Sequence, residues 1–185
     1  MAGVGRDERA WVVGAQAGAA SDLEALFRTH WGHAYRAAYL IVHDASAAED
    51  IAQEAFLACV RAFDRFDRRR PFGPWLHRIV VNRAIDWARA RALRRELSAE
   101  QAPDAAAPLE NHPQGRPYSQ AVVEGLASLS PEQRAVIVLR YLLEYTPGEI
   151  AELLELPRGT VNSRLRRGLD ELEARLGSSV EEGPA

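Results

Sequence analysis

Residues 146–172 read TPGEIAELLELPRGTVNSRLRRGLDEL, and this stretch decides the fold class. Thr146, Pro147 and Glu149 are typical of a helix start with a capping box, in which the Thr and Glu side chains each accept a hydrogen bond from the other's backbone amide. A second helix is predicted to begin at about Arg158. Two short helices around a tight turn form a helix-turn-helix, so the stretch predicts a module that reads duplex DNA.

The outer face of the second helix has the side chains that such a module needs. Five apolar residues are expected to pack the two helices together: Ile150, Ala151, Leu154, Val161 and Leu165. Arginine suits guanine edges or phosphates, asparagine suits adenine, and a helix N-terminus suits a phosphate. The predicted DNA-reading residues are Arg158, Gly159, Thr160, Asn162, Ser163, Arg164, Arg166 and Arg167. A helical hairpin with a solvated arginine face is the alternative interpretation.

The formal net charge of −3 does not argue against DNA binding, because the charges are segregated. All 23 basic residues are Arg. Residues 61–95 hold eleven Arg against three acids, a net charge of +8, whereas residues 1–60 hold four Arg against eight acids. Since association responds to local potential, residues 61–95 and 156–167 predict two separate nucleic-acid contacts.

Composition indicates a soluble, cytoplasmic chain. The 185 residues are 47% hydrophobic and 26% charged, which is enough apolar material for packed cores. No run of about 18 apolar residues occurs, so membrane insertion is not expected, and the N-terminus does not resemble a secretory signal. A single cysteine, Cys59, excludes an internal disulfide and is expected in the core.

Periodicity is helical throughout and predicts an all-α fold of two small domains. Residues 97–117 are rich in Pro and Ala and are interpreted as a flexible linker. The predicted organisation is a first domain over residues 1–96, the linker, a helix-turn-helix domain over 118–177 and an acidic tail over 178–185. In the first domain, helices are expected at about 9–17, 22–42, 46–63 and 73–95, with Ser46 and Glu49 forming a capping box. In the second, they are expected at about 119–128, 131–143, 147–154 and 158–175.

The arginine-rich segment of the first domain is interleaved with aromatic residues. Cations along a backbone and aromatic rings that stack on bases are typical of single-strand binding. For Phe63 and Trp87 a core position is favoured. Phe72 lies in a Pro-Gly stretch, so its ring is expected to be free to meet a base.

Three motifs together carry a family resemblance. They are AEDIAQEAFLACVRAFDRF, then PFGPWLHRIVVNRAIDWAR, then LSPEQRAVIVLRYLLEYTPGEIAELLELPRGTVNSRLRRGLDEL. In this order across a Pro/Ala linker, they resemble the bacterial RNA polymerase sigma factors of the extracytoplasmic-function (ECF) group in the sigma-70 family. The likeness covers about residues 20–96 and 118–176.

The resemblance implies three binding surfaces. The first domain (region 2) would bind the β′ clamp coiled coil of core RNA polymerase, through Asp50, Gln53, Glu54, Leu57 and Arg61. It would also melt the −10 promoter element and hold a flipped base, through Arg68, Phe72, Trp75, Arg78, Asn82, Arg83 and Asp86. The second domain (region 4) would read the −35 element through the helix-turn-helix residues given above. The resemblance also implies a contact with the polymerase β subunit and allows an anti-sigma factor as a partner.

Two positions leave the assignment open. Asp86 could pair with Arg83 or Arg89 on the helix surface instead of contacting a base. Glu155 occupies the turn position where this fold often has Gly, so either a left-handed Glu or a different turn is required.

Two other classes of function compete. An enzyme is disfavoured because no phosphate-binding Gly loop, nucleophile motif or pair of catalytic carboxylates stands out, and no cofactor or metal is expected. His30 and His33 lie three residues apart, which could suggest a metal site, but packing beside Trp31 is favoured. A helix-turn-helix repressor or activator explains residues 158–167 but not the arginine-aromatic segment.

Overall fold

In a computed structural model, the protein is described over residues 4–98 and 118–181, and this part of the chain is built of α-helices with no β-strand. The helices are α1 (Val4–Gln16), α2 (Ala20–Val42), α3 (Ala45–Ala62), α4 (Phe72–Ser98), α5 (Gln120–Ser128), α6 (Pro131–Ile137), α7 (Pro147–Leu154) and α8 (Arg158–Glu181). The predicted all-α class is confirmed. Almost all of the predicted linker lies outside the described residues, and α4 extends two residues into it. None of the described helices is long and apolar enough to cross a membrane.

Side-chain caps start the helices of the second domain where they were predicted. Ser130 and Gln133 form a capping box at α6, and Thr146 and Glu149 form another at α7. The prediction for Ser46 is wrong. The N-cap of α3 is Asp44, which has extended backbone and accepts a hydrogen bond from the amide of Ala47 at 3.0 Å.

The core of the first domain lies between α2, α3 and α4, with α1 packed on α2. Leu26, Leu76 and Val80 are fully buried within it. Close to the start of α4, the rings of Phe63, Phe66, Phe72 and Trp75 form one aromatic cluster. Burial of such large apolar surfaces is the main force that holds these helices together.

The second domain packs α6 on α8 at a small residue. A Cβ added to Gly168 would lie 2.7 Å from Ile137 Cδ1, so glycine permits the close approach of the two helices. After α6, residues 138–142 form one turn of π-helix, closed by a hydrogen bond from the Leu143 amide to the Val138 carbonyl. Glu144 then takes a left-handed conformation with φ 59°. These two irregularities set the position of Tyr145.

The two domains pack against each other. Helix α2 contacts α5 and α6, and α4 contacts α6 and α7, so the buried apolar residues form one continuous cluster. Across the interface between the two domains, the guanidinium of Arg134 donates to the Ile41 carbonyl at 2.5 Å. Burial lowers the pKa of Arg134 to about 10, which leaves it charged at neutral pH.

Candidate nucleic-acid interface

The helix-turn-helix is formed by α7, a three-residue turn and α8. Glu155 in the turn is left-handed, with φ 55° and ψ 44°. The Leu156 amide donates to the Ala151 carbonyl at 2.9 Å and the Glu155 amide to the Glu152 carbonyl at 3.4 Å. These are the two hydrogen bonds of a Schellman motif, which usually places Gly at this position. Of the two possibilities left open by the sequence, the structure has the left-handed Glu.

The core beneath the helix-turn-helix differs slightly from the predicted one. Ile150, Val161 and Leu165 are buried as predicted, together with Leu153, which was not predicted. Ala151 and Leu154, expected in the core, are only partly buried. Leu153 follows Ile150 by three residues, so helical spacing could have identified it.

The predicted −35 residues form one accessible face of α8. Arg158, Gly159, Asn162, Arg166 and Arg167 are exposed, and Thr160, Ser163 and Arg164 are partly buried. The Ser163 hydroxyl donates to the Thr160 carbonyl at 2.9 Å, which fixes its rotamer. The Thr160 amide donates to the Pro157 carbonyl at 2.9 Å, whereas Arg158 and Gly159 at the start of α8 are exposed. A helix N-terminus exposed beside four arginines suits the phosphate backbone of DNA.

Most of the predicted −10 residues lie along one side of α4 or in the loop before it. Arg68, Asn82, Arg83 and Asp86 are exposed, whereas Trp75 and Arg78 are partly buried. Asp86 Oδ1 lies 3.9 Å from Arg89 Nη1, so the helix-surface pair that the sequence allowed is present as a weak, exposed contact. Asn82 keeps its amide toward solvent, where it can both donate and accept.

Phe72 is a correction to the sequence-based interpretation. The expectation of a free ring in a loop is wrong, because Phe72 is the first residue of α4 and is only 1% exposed. Its amide donates to Glu8 Oε1 at 2.8 Å, so α1 holds the start of α4 in place. In this arrangement the ring cannot stack on a base.

Glu8 also contacts His30, one of the two histidines whose spacing could suggest a metal site. His30 Nε2 lies 3.2 Å from Glu8 Oε2, and this hydrogen bond holds the pKa of the Glu8 carboxyl below its usual range. Within the described ranges, no three His, Cys, Asp or Glu side chains are grouped as metal ligands would be.

The predicted polymerase-binding residues form an exposed stripe on α3. Asp50, Gln53, Glu54, Leu57 and Arg61 all face solvent. Leu57 is 52% exposed, so a large apolar side chain lies in the middle of this polar stripe. Two further apolar residues, Val60 and Phe27, are also exposed. The sequence did not predict this exposure, because an apolar residue at a helical position looks the same whether it faces the core or the solvent.

An ion pair connects this stripe to the predicted −10 surface. Arg83 Nη1 of α4 lies 2.5 Å from Glu54 Oε2 of α3. Both groups are partly exposed, so the pair adds little stability, but it orients two residues that belong to different predicted surfaces.

Other residues of α4 contact the second domain. Arg78 Nη2 lies 2.6 Å from Glu155 Oε1, and Arg89 Nη2 lies 2.5 Å from Glu132 Oε1. Beside Arg78, His77 Nδ1 is 2.8 Å from the Tyr145 hydroxyl. Burial lowers the pKa of His77 to about 3, so the ring is neutral at physiological pH and forms this hydrogen bond without a charge.

A cleft of about 870 Å³ opens beside these contacts. One wall comes from the first domain and carries three arginines and one aspartate, and the other comes from α7 and Tyr145 and carries two glutamates. The lining residues include Arg65, Arg70, Trp75, Arg78, Tyr145, Glu149, Glu152 and Leu153. The walls are therefore of opposite charge, which favours their approach.

Comparison with known proteins relates both halves of the chain to one family. Residues 26–94 match the model of sigma-70 region 2 and residues 119–172 match that of sigma-70 region 4. The ECF RNA polymerase sigma factor SigW of Bacillus subtilis is 34% identical over 161 residues, covering 77% of this chain and 82% of that protein. The RNA polymerase sigma-E factor of Streptomyces coelicolor is 30% identical over 155 residues, covering 84% and 86%.

Solved structures agree in fold. CnrH, in a complex with the cytosolic domain of CnrY, has a TM-score of 0.69 and 28% identity over 93% of this chain and 98% of that chain. The sigma factor RpoE from Bartonella quintana, in a complex with the anti-sigma factor NepR, has a TM-score of 0.70 at 20% identity and covers 84% of this chain and 97% of that chain. The second likeness concerns the fold alone.

Proposed function

Because the chain belongs to the ECF sigma factors of the sigma-70 family, we propose that its surfaces divide the work of promoter recognition between the two domains. As a sigma factor, it binds core RNA polymerase, directs the enzyme to specific promoters and aids promoter melting. The observation that carries this conclusion is the presence of both sigma regions, in order, on one chain. A helix-turn-helix repressor would need only the second, so that alternative is not favoured.

In this proposal the exposed stripe on α3 binds the polymerase. The stripe, defined by Asp50, Gln53, Glu54, Leu57 and Arg61, combines one exposed leucine with a polar surround. Such a composition is typical of a protein interface with an apolar anchor and a polar rim. Its proposed partner is the coiled coil of the β′ clamp, and the second domain would contact the β subunit.

The side of α4 that carries Arg78, Asn82, Arg83 and Asp86 is the proposed −10 surface, with Arg68 and Trp75 at its loop end. Arginines there would neutralise the backbone of the melted strand. Asn82 would read the edge of a flipped base, because an amide matches a donor and an acceptor at once. Phe72 would support this surface from the core, by packing beneath Trp75 at a ring distance of 5.8 Å.

Replacing Asn82 by Ala is expected to slow promoter opening about tenfold, since loss of one base-edge pair is worth roughly 1–3 kcal/mol. Binding of the closed complex should change less than twofold, because the base is still paired there. Permanganate reactivity of unpaired thymines measures opening, and filter binding measures the closed complex. Gln120→Ala removes an exposed amide from α5 and serves as the control. Equal loss in both steps would contradict the role of Asn82.

The exposed face of α8 is the proposed −35 surface. Arg166 and Arg167 lie one turn beyond the base-reading residues Arg158 and Asn162 and would meet phosphates. The helix N-terminus at Gly159, with the side chain of Thr160 beside it, would meet another phosphate. This assignment follows the docking of a recognition helix in the major groove.

Replacing Arg167 by Gln is expected to reduce the salt dependence of duplex binding by about one unit in the slope of log K against log salt. The physical reason is that one fewer counterion is released from DNA. Titrations of holoenzyme on promoter duplex between 50 and 200 mM salt would measure the slope, in the range where ion release dominates. Arg28→Gln removes the same charge from an exposed position on α2. A slope unchanged by Arg167→Gln would show that this arginine is merely solvated.

The chain would act where the polymerase acts, in the cytoplasm, and would perform no catalytic step of its own. An anti-sigma factor is a reasonable further partner, since a relative of similar fold is described in complex with one.

The direct test of the function is co-purification. Tagged chain mixed with core polymerase should elute as a complex, and failure to form any complex would overturn the assignment.

A further inference from the structure

The loop of residues 66–71, which precedes α4, carries three consecutive exposed arginines, Arg68–Arg70. This arginine loop is the loop end of the proposed −10 surface. Its tip is closed locally, because the Arg69 amide donates to the Asp67 carboxylate at 3.0 Å and the Arg70 amide donates to the Asp67 carbonyl at 2.9 Å. Such a turn fixes the shape of the tip but not its position relative to α4. That position depends on what holds the two ends of the loop.

Gln16, the last residue of α1, holds the first end of the arginine loop. Its Nε2 donates to the Phe63 carbonyl at 2.9 Å and to the Phe66 carbonyl at 2.9 Å. An amide NH2 has two protons and can satisfy both carbonyls, whereas the flipped amide would place oxygen against oxygen. Gln16 lies 47 and 50 residues away from these partners in the chain, so the contact is tertiary and not part of a local turn.

This contact reaches the proposed −10 surface through one pair of aromatic rings. The ring of Phe66 stacks on that of Trp75, with 4.5 Å between the ring centroids and 21° between the ring planes. Trp75 lies three residues after the start of α4 and is one of the predicted −10 residues. By fixing the backbone of Phe66, the two hydrogen bonds of Gln16 also fix the ring against which Trp75 rests.

Glu8 holds the other end of the arginine loop from the same helix. Its Oε1 accepts a hydrogen bond at 2.8 Å from the amide of Phe72, the first residue of α4. Glu8 and Gln16 are eight residues apart, about 12 Å along a helix axis. Val12, midway between them, is only 2% exposed, so α1 is anchored in the core. One anchored helix therefore spans both ends of the loop.

We propose that α1 positions the arginine loop for strand opening and that Gln16, through its two hydrogen bonds to the loop, is the principal positioning residue. Gln16 does not contact DNA in this proposal; it acts through Phe66 and Trp75. A loop that is already ordered binds the melted strand without the entropic cost of ordering it at that moment. This inference rests on the proposed function, because it assigns the loop and Trp75 to the melted strand.

Hydrogen exchange of single amides in the free Gln16→Met variant tests whether Gln16 holds the loop. Methionine keeps the length and the helix propensity of the side chain but has no hydrogen to donate. Exchange at the Phe66 and Arg70 amides, followed by NMR, should become about tenfold faster than in the native chain. Exchange at Val80, which is fully buried in α4, should stay within about twofold of the native rate. This difference separates a loosened loop from a general loss of stability.

Promoter opening by holoenzyme tests what the positioned loop does. Gln16→Met should slow opening about tenfold, as measured by permanganate reactivity of unpaired thymines, and should change closed-complex binding less than about twofold. Val13→Met is the matched control, because Val13 is 44% exposed on the same helix and the change introduces the same side chain without removing a hydrogen bond. This control should open the promoter at the native rate.

Two variants of Glu8 test the other end of the loop. Glu8→Gln keeps an oxygen that can accept from the Phe72 amide and should open the promoter at close to the native rate. Glu8→Met has a similar length but no such oxygen, and it should slow opening about as much as Gln16→Met does. Equal defects in Glu8→Gln and Glu8→Met would show that this hydrogen bond does not position the loop.

Three results would overturn the role of Gln16: native exchange at Phe66 and Arg70 in Gln16→Met, equally accelerated exchange at Val80, or opening at the native rate. The exchange measurement needs neither polymerase nor promoter. Native opening together with unchanged exchange would therefore overturn the positioning role alone. A native chain that opens no promoter would overturn the proposed function, and the role of Gln16 in opening with it, whatever the exchange rates show.

Discussion

Replacing Leu57 by Asp is expected to weaken binding of the chain to core RNA polymerase by about 100-fold, which is close to 3 kcal/mol and typical of a buried apolar anchor at an interface. Leu57 is exposed in the free chain and lies at the centre of the stripe on α3. An Asp there would have to be desolvated in the complex without a partner. Because the side chain fills no core, the free energy of unfolding should change by only about 0.5 kcal/mol.

Fluorescence anisotropy of labelled chain titrated with core polymerase measures this affinity. Leu93→Asp is the matched control, since Leu93 is 56% exposed on α4 and lies outside all three proposed surfaces. The affinity of the Leu93→Asp variant for core polymerase should stay within about twofold of the native value. Similar losses for Leu57→Asp and Leu93→Asp, or no loss for Leu57→Asp, would move the polymerase contact away from the stripe.

Replacing Phe72 by Ala is expected to lower the free energy of unfolding by about 3–5 kcal/mol. The ring is fully buried and packs against Phe63 at 5.8 Å, Phe66 at 6.2 Å and Trp75 at 5.8 Å between ring centroids. Its removal leaves a cavity beneath the proposed −10 surface. Since small domains are stable by only about 5–15 kcal/mol, this change would remove a large share of the total.

Urea unfolding followed by circular dichroism measures the loss. Phe72→Leu retains most of the apolar volume and should cost less than about 1.5 kcal/mol. A cost below about 1 kcal/mol for Phe72→Ala would show that the ring is not a core element. The original expectation, a ring free to stack on a base, would then return.

Phe72 illustrates which parts of the fold the sequence can predict. Capping residues and helical spacing predicted the second domain closely, because each capping box acts within four residues. The start of α4 was predicted to within one residue, but the burial of Phe72 was missed, since its amide is held by Glu8, which lies 64 residues away in the chain. The Pro and Gly next to Phe72 indicated a loop, and a distant contact overrides that local signal. Ser46 was misassigned because Asp44, two residues earlier, competes for the same helix start. Asp44 also pairs with Arg91, which lies 47 residues away in the chain.

The proposed surfaces were predictable to different degrees. The stripe on α3 follows from helical periodicity and is exposed as the pattern indicates, whereas on the face of α8 Thr160, Ser163 and Arg164 are partly buried. The packing of the two domains against each other could not be predicted. A Pro/Ala segment between two domains carries no information on whether they pack. The contacts of His77 with Tyr145 and of Arg78 with Glu155 join residues far apart in the sequence. Glu155 stood out in the sequence as an unusual turn residue, but its partner emerged only from the structure.

Mapping of transcript 5′ ends tests the central claim, that this chain gives core polymerase its promoter specificity. Purified core polymerase would transcribe fragmented DNA of the source genome with and without the chain. We expect discrete 5′ ends that require the chain and share sequence elements near −10 and −35. The opposite result is the absence of any chain-dependent start, together with tight duplex binding by the chain alone. That result would contradict a sigma factor and indicate a repressor.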